Sequence, residues 1–82
     1  MRIRRPSDMA EKTIDLRGLK CPLPALYTRK ALAAMNRGDI LIVECTDPLA
    51  GIDIPALLME TGDALEDIGE DKQAMTFRIR KR

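Results

Sequence analysis

Two cysteines, Cys21 and Cys45, are the side chains of this chain best suited to nucleophilic chemistry. Cys21 lies in a segment rich in turn-forming residues, Gly18-Leu19-Lys20-Cys21-Pro22-Leu23-Pro24. A proline at position 22 favours an extended Cys21 and is itself suited to the first position of a helix. The segment therefore predicts that Cys21 is the exposed N-cap of a helix, with its sulfur near unpaired backbone N–H groups and the positive end of the helix dipole.

This placement favours thiolate over thiol at Cys21. The two prolines of the segment remove two of the four N–H donors of the first turn, so we expect only a modest lowering of the Cys21 pKa from its ordinary value of about 8.5. Arg17 and Lys20 are expected to assist by their positive charge. Three residues are expected to position the cysteine: Gly18, Pro22 and Pro24. From the residues alone, the alternative that Cys21 is a small, inert loop residue stays open.

Several thiol chemistries do not fit the composition. A thioredoxin-type site needs a second thiol three residues after the first, and that position holds Pro24. A structural zinc site usually has four cysteine or histidine ligands, whereas the chain has two cysteines and no histidine. The lack of histidine also excludes a Cys-His hydrolase. We therefore expect neither a metal nor a cofactor.

Cys45 is expected to be a core residue, because it ends an apolar stretch in phase with Leu41 and Val43. The alternative is that Cys45 resolves a disulfide with Cys21. That role would require the two thiols to come within bonding distance.

Glycine and proline positions divide the chain into six elements. Strands are predicted over 13–16, 39–45 and 65–68, and from Met75, Phe77 and Ile79, which alternate with polar residues. Helices are predicted over 22–35 and 52–61, the second with Pro55 in its first turn and with Gly62 at its end. The order βαβαββ predicts an α/β two-layer sandwich, with a four-stranded mixed sheet, two helices on one face and a closing hairpin at 70–73.

The first helix has two distinct sides at 100° per residue. The predicted core side consists of Pro24, Thr28, Ala31, Leu32 and Met35, and the outward side of Leu23, Leu26, Arg29, Lys30 and Ala33. Leucines and basic residues close to Cys21 would suit the docking of a partner with an acidic rim. A solvated charged face accounts for the same pattern, and both interpretations stay open.

The remaining polar features have structural interpretations. Asp47 is predicted to be a turn or capping residue, and the core face of the second helix carries no assigned chemistry. An acidic run is predicted to form a solvated edge that discourages strand pairing between molecules. Its members are Asp63, Glu66, Asp67, Glu70 and Asp71.

Charge and composition restrict the partners. Residues 1–12 and 78–82 carry four positive charges each, whereas residues 13–77 carry six positive and eleven negative charges. An acidic body with one Phe, one Tyr and no Trp is a poor surface for nucleic acid, so direct binding is not expected. No apolar stretch, including that at 40–43, is long enough for a membrane span. We interpret 1–12 as a disordered basic leader without the features of a secretory signal, 13–82 as a single domain, and the cytoplasm, where thiols stay reduced, as the compartment.

Over residues 13–81 the chain resembles the TusA/SirA-like sulfur carriers, through many motifs in the same order. The matching features are Asp15, Gly18, the Cys21-Pro22-Leu23-Pro24 box, Arg29-Lys30, Ala31-Leu32, Met35, Gly38, Leu41, Val43, Asp47-Pro48, Asp53-Ile54-Pro55, Gly62 and Ile79-Arg80-Lys81. The resemblance implies the same βαβαββ sandwich. It also implies that Cys21 accepts sulfur from a cysteine desulfurase or a rhodanese and passes it, as a persulfide, to an acceptor sulfur-relay protein.

The resemblance leaves the pathway open among tRNA thiolation, molybdenum-cofactor maturation, sulfur oxidation and selenium handling. Members of the family often have a histidine after the glycine that ends the second helix, whereas this chain has Asp63, which points away from the tRNA-thiolating branch. The sequence thus predicts a sulfur carrier or sulfurtransferase. The alternative is a non-enzymatic regulatory or RNA- or protein-binding module in which Cys21 is incidental.

Overall fold

The computed structural model describes residues 11–82, and its elements follow the predicted order. The strands are β1 (Glu11–Leu16), β2 (Ile40–Cys45), β3 (Ala64–Glu70) and β4 (Met75–Arg80), and the helices are α1 (Leu23–Ala33) and α2 (Ala50–Thr61). The sheet has the strand order β1-β2-β4-β3, with β1 parallel to β2 and the other pairs antiparallel. The predicted βαβαββ order and mixed four-stranded sheet with two helices are confirmed.

The N-terminal boundary differs slightly from the prediction. β1 begins at Glu11, two residues before the predicted strand. The disordered leader was predicted over 1–12. Of these, residues 1–10 lie outside the described residues, whereas Glu11 and Lys12 belong to β1. The single domain over 13–82 stays a prediction.

The core lies between the sheet and the two helices. Every second residue of β2 points into it, and Leu41, Val43 and Cys45 are all fully buried. They join Leu32 of α1, Ile54 and Leu58 of α2, and Phe77 and Ile79 of β4 in one cluster. Since both helices contribute to one cluster, they cover one face of the sheet. Fully burying a large aliphatic side chain contributes about 1.5–3 kcal/mol, so this cluster is the main source of stability. The buried position of Cys45 is confirmed.

α2 starts earlier than predicted, at Ala50 rather than residue 52. The cause is Asp47, whose side-chain Oδ1 accepts the Leu49 amide and whose carbonyl accepts the Ala50 amide at 2.9 Å. The turn therefore runs directly into the helix, and Pro55 lies in the second turn instead of the first. The predicted end is confirmed, because Gly62 adopts φ +84° and donates its amide to the Leu58 carbonyl.

The closing hairpin and the acidic edge are confirmed with one exception. β3 is an edge strand, and Asp71 Oδ1 closes the turn to β4 by accepting the amides of Gln73 and Ala74. The exception is Asp63, which was predicted to be solvated but is only 7% exposed. Its Oδ1 accepts the Arg82 amide at 2.9 Å, so this carboxylate anchors the chain after β4.

The parallel pair places two loops side by side. Leu16 at the end of β1 pairs with Cys45 at the end of β2, so the loops that follow these strands leave the sheet at the same edge. This edge is where ligands and reactive groups gather in open α/β sheets. No helix within residues 11–82 is long and apolar enough to cross a membrane.

Candidate functional site at Cys21

Cys21 lies in the loop between β1 and α1, which is held by bonds within the loop and to the neighbouring loop. Gly18 turns the chain with φ +88°, a conformation that glycine adopts without strain, and donates its amide to Thr46 Oγ1 at 2.8 Å. The Leu23 amide donates to the Lys20 carbonyl at 2.8 Å and closes a turn around the cis Cys21–Pro22 peptide. Cys21 is exposed, as predicted.

The predicted helix start is wrong by one residue. Pro22, with φ −99° and ψ 15°, is the N-cap, α1 begins at Leu23, and Pro24 is buried within the first turn. The Leu26 amide donates to the Pro22 carbonyl at 3.1 Å, which makes Pro22 the residue that accepts the first helical bond. Cys21 therefore lies just outside the helix. The Leu23 amide, one of the N–H donors that the prolines leave in this turn, donates to the Lys20 carbonyl.

Two aspartates of the neighbouring segment contact Cys21. The Cys21 amide donates a short hydrogen bond to Asp47 Oδ2, and the Cys21 thiol donates to Asp53 Oδ2 with 2.8 Å between sulfur and oxygen. Asp47 lies in the loop after β2, and Asp53 lies in the first turn of α2. The site thus consists of one thiol from the β1–α1 loop and two carboxylates from the β2–α2 segment.

The electrostatics of the thiol are the opposite of the prediction. The pKa of Cys21 is raised, first by the hydrogen bond to Asp53, then by desolvation, and then by the negative charges of Asp53 and Asp47. The expected lowering is therefore wrong for this structure. The role of Arg17 and Lys20 in stabilising the thiolate stays a prediction. The helix terminus does not offset the two carboxylates, because the sulfur lies outside the first turn and the amides of Cys21 and Leu23 bond to other groups.

Arg17 is engaged by other carboxylates. Its Nε and Nη2 each lie 2.9 Å from an oxygen of Asp15, and its Nε lies 3.8 Å from Glu44. The same pairing, together with the Arg17 amide, lowers the pKa of Asp15 to about 2. Lys20 is exposed beside Cys21.

The outward side of α1 is confirmed. Its five predicted residues are all exposed: Leu23, Leu26, Arg29, Lys30 and Ala33. Arg29 pairs with Glu60 of α2 at 2.6 Å, whereas the docking role of this side is not decided by the geometry. Two apolar residues that the sequence analysis did not assign, Leu49 and Ile52, are also exposed in the segment that carries Asp47 and Asp53.

Cys45 offers no second reactive thiol. It is fully buried, and burial followed by the charge of Asp47 raises its pKa to about 11. Both cysteines are free thiols. Among residues 11–82, no three His, Cys, Asp or Glu side chains form a group that could hold a metal ion.

A family profile described as sulfurtransferase TusA matches residues 12–81. The chain belongs to the TusA family. The sulfur carrier protein TusA of Allochromatium vinosum is 38% identical over 71 residues, which cover 87% of this chain and 93% of that relative. A candidate sulfur carrier protein of Neisseria meningitidis is 44% identical over 71 residues, which cover 87% of this chain and 96% of that relative. The predicted family is therefore confirmed.

The fold agrees with this membership. The crystal structure of a SirA-like protein from Desulfitobacterium hafniense superimposes with a TM-score of 0.73 at 24% identity, and the match covers 84% of this chain and 95% of that one. At this identity the likeness concerns the fold alone. The SirA-like protein thus shares the overall fold of this chain.

Proposed function

We propose that this protein is a sulfur carrier that accepts sulfane sulfur as a persulfide on Cys21 and relays it to an acceptor protein. The observation that carries the proposal is the contrast between the two cysteines: Cys21 is exposed on a loop fixed by hydrogen bonds, whereas Cys45 is buried in the core. Relatives named as sulfur carriers align over most of the chain and support the same function.

The proposed chemistry is thiol exchange at sulfane sulfur. The Cys21 thiolate attacks the outer sulfur of a donor persulfide and forms a new S–S bond with it. The S–S bond of the donor breaks, and the inner sulfur of the donor leaves as a thiolate. In the second half, an acceptor thiolate attacks the outer sulfur on Cys21 and releases the Cys21 thiolate. Cys45 is buried, so it does not compete for the outer sulfur, and the persulfide should persist until a second protein reaches it.

The proposed donor is a cysteine desulfurase or a rhodanese, and the proposed acceptor is another sulfur-relay protein. We retain the outward side of α1, with Arg29 and Lys30, as the proposed docking surface. Gly18, Pro22 and Pro24 remain the proposed positioning residues, because they shape the turn that carries the thiol. The cytoplasm is the proposed compartment, since the chemistry requires a reduced thiol.

The test is to mix the protein with a cysteine desulfurase and free cysteine. Wild type should gain the mass of one sulfur atom, removable by reductant, on the peptide that contains Cys21. Cys21→Ser should abolish the gain, and Cys45→Ser, the matched control, should not. If the Cys21 variant still gained labile sulfur, or if wild type never did with competent donors, the carrier function would be rejected in favour of a binding module in which Cys21 is incidental.

A further inference from the structure

The contact between Cys21 and Asp53 has no obvious use in a carrier that relies on a free thiolate. A carboxylate 2.8 Å from the sulfur keeps the proton on the thiol, and a thiol is a far weaker nucleophile than its thiolate. Yet Asp53 does not serve as a helix cap, since the N-cap of α2 is Leu49 and has no side-chain hydrogen bond. Within residues 11–82, the hydrogen bond to the Cys21 sulfur is the one hydrogen bond of the Asp53 side chain.

We propose that Asp53 is the catalytic proton acceptor for Cys21 when the carrier is loaded with sulfur. This inference rests on the proposed carrier function and adds a second residue to its chemistry. In the free protein Asp53 holds the thiol proton in place. In the complex with a donor, Asp53 takes the proton as Cys21 attacks.

The step balances without an external oxidant or reductant. The Cys21 S–H bond breaks, its proton passes to Asp53 Oδ2, and the electron pair left on Cys21 sulfur forms a bond to the outer sulfur of the donor persulfide. The S–S bond of the donor breaks, and its electron pair leaves on the inner sulfur as a thiolate. Asp53 then returns the proton to that thiolate, so the donor ends as a thiol and Asp53 as a carboxylate.

The position of the contact explains why a resident base would be needed. In the free protein, water or buffer can take the proton from the exposed thiol. A docked donor covers Cys21 and the exposed apolar residues that flank the site in the sequence, Leu23 and Ile52. With water excluded, the base already in contact with the sulfur is Asp53.

The other charged groups around the loop do not have this geometry. Asp47 accepts the Cys21 amide and not the thiol. Arg17 is held by Asp15 and Glu44, and Lys20, like Arg17, is a cation that would be a poor proton acceptor at neutral pH. Asp53 is therefore the base assigned by the hydrogen bond.

Two reactions of Cys21 distinguish whether Asp53 acts as a proton acceptor or only as a negative charge. The first is alkylation of the free protein by iodoacetamide, which reports the thiolate in open solvent. The second is single-turnover loading from a cysteine desulfurase that already carries a persulfide. Wild type, Asp53→Asn and Asp53→Glu are compared at pH 7, with Asp67→Asn as a control that makes the same charge change on the distant β3 edge.

We expect Asp53→Asn to alkylate faster than wild type, about tenfold for each unit by which its Cys21 pKa falls. Its loading should nevertheless slow by about 100-fold, the lower range for a lost general base. Asp53→Glu should retain much of the loading rate, and Asp67→Asn should match wild type in both reactions. At high pH, where the thiol of both proteins is ionised, the loading rates of wild type and Asp53→Asn should converge.

Two outcomes would overturn the proposal. If loading of Asp53→Asn rose together with alkylation, Asp53 would act only as a charge. If both rates fell together and Asp53→Glu did not recover them, Asp53 would act by placing the Cys21 loop. Either outcome, with wild type still loading normally, leaves the carrier function intact, whereas a wild type that never gains sulfur would reject the carrier function itself.

Discussion

The raised pKa of Cys21 predicts a steep dependence of its reactivity on pH, which is the reverse of what a helix N-terminus would give. A thiol with the ordinary pKa of about 8.5 is roughly 3% thiolate at pH 7. Cys21 should therefore be less ionised than that. Its alkylation rate should rise about tenfold from pH 7 to pH 8 and show no plateau below about pH 8.5.

Cys45 provides the slowest expected labelling rate in the same experiment. Its side chain is fully buried, so it should be labelled only when the domain opens. For a stability of about 5 kcal/mol, roughly one molecule in several thousand is unfolded at a time. Labelling of Cys45 should thus be at least about 1,000-fold slower than that of an equally ionised exposed thiol.

The assay is a timed pulse of iodoacetamide from pH 6.5 to pH 10, followed by digestion and mass spectrometry of the two cysteine peptides. A small free thiol provides the reference rate at each pH, and Cys21→Ser isolates the labelling of Cys45. A plateau of the Cys21 rate below pH 8 would refute the raised pKa. Equal labelling rates of Cys21 and Cys45 would refute the assignment of one exposed and one buried thiol.

Three further predictions concern docking, an ion pair and a helix end. Replacing Arg29 and Lys30 together by glutamate should slow sulfur transfer and shift the thermal midpoint little, because an exposed ion pair contributes only about 0–1 kcal/mol; an unchanged transfer rate would remove the docking role. Because the pKa of Asp15 is lowered to about 2, its stabilising contribution should be complete above about pH 4 and be lost as the pH falls through 2. NMR titration should show this midpoint in wild type and a higher one in Arg17→Ala, and equal midpoints would contradict the pairing. Gly62→Ala should lower the free energy of unfolding by about 1 kcal/mol, since φ +84° disfavours a side chain; denaturant unfolding would show no change if the helix end could relax.

The parts of the fold that follow from periodicity were predictable from the sequence. The apolar stretch 40–43 and Cys45 mark β2 because a strand covered on one face by two helices must be apolar there. The two sides of α1 follow from the 100° rotation per residue, and both are confirmed by burial. Exposure of Cys21 was predicted from its placement at the helix start, and it holds although the N-cap is Pro22.

The contacts around Cys21 could not be obtained in the same way, because they join residues distant in the chain. From the sequence, Asp47 was predicted to be a local turn residue and Asp53 had no predicted role, yet both reach Cys21 from the segment after β2. The sequence did contain a signal for these contacts. Two acids soon after the end of the second parallel strand lie at the edge where the first strand also ends. The helix dipole alone predicts a lowered pKa of Cys21, whereas these two acids raise it.

The burial of Asp63 also depends on a contact between residues distant in the chain. Its place in a run of acidic residues predicts a solvated side chain, and the other members of the run are indeed exposed. Asp63 differs because it immediately follows the left-handed Gly62 and meets the amide of Arg82, 19 residues later. Only the pairing of β3 with β4 brings these two positions together.

The acidic setting of Cys21 has a consequence for selectivity. A protonated thiol reacts slowly with small oxidants and electrophiles, since the thiolate is the reactive form. The negative charges of Asp47 and Asp53 also oppose the approach of small anionic persulfides. A protein donor would differ, because the proposed docking side of α1, where Leu26 and Lys30 are exposed, would hold it while it covers the site. For the proposed carrier, the selectivity of loading would therefore come from docking, which brings the donor sulfur to a thiol already hydrogen-bonded to its proposed proton acceptor, and not from a thiolate that is permanently available.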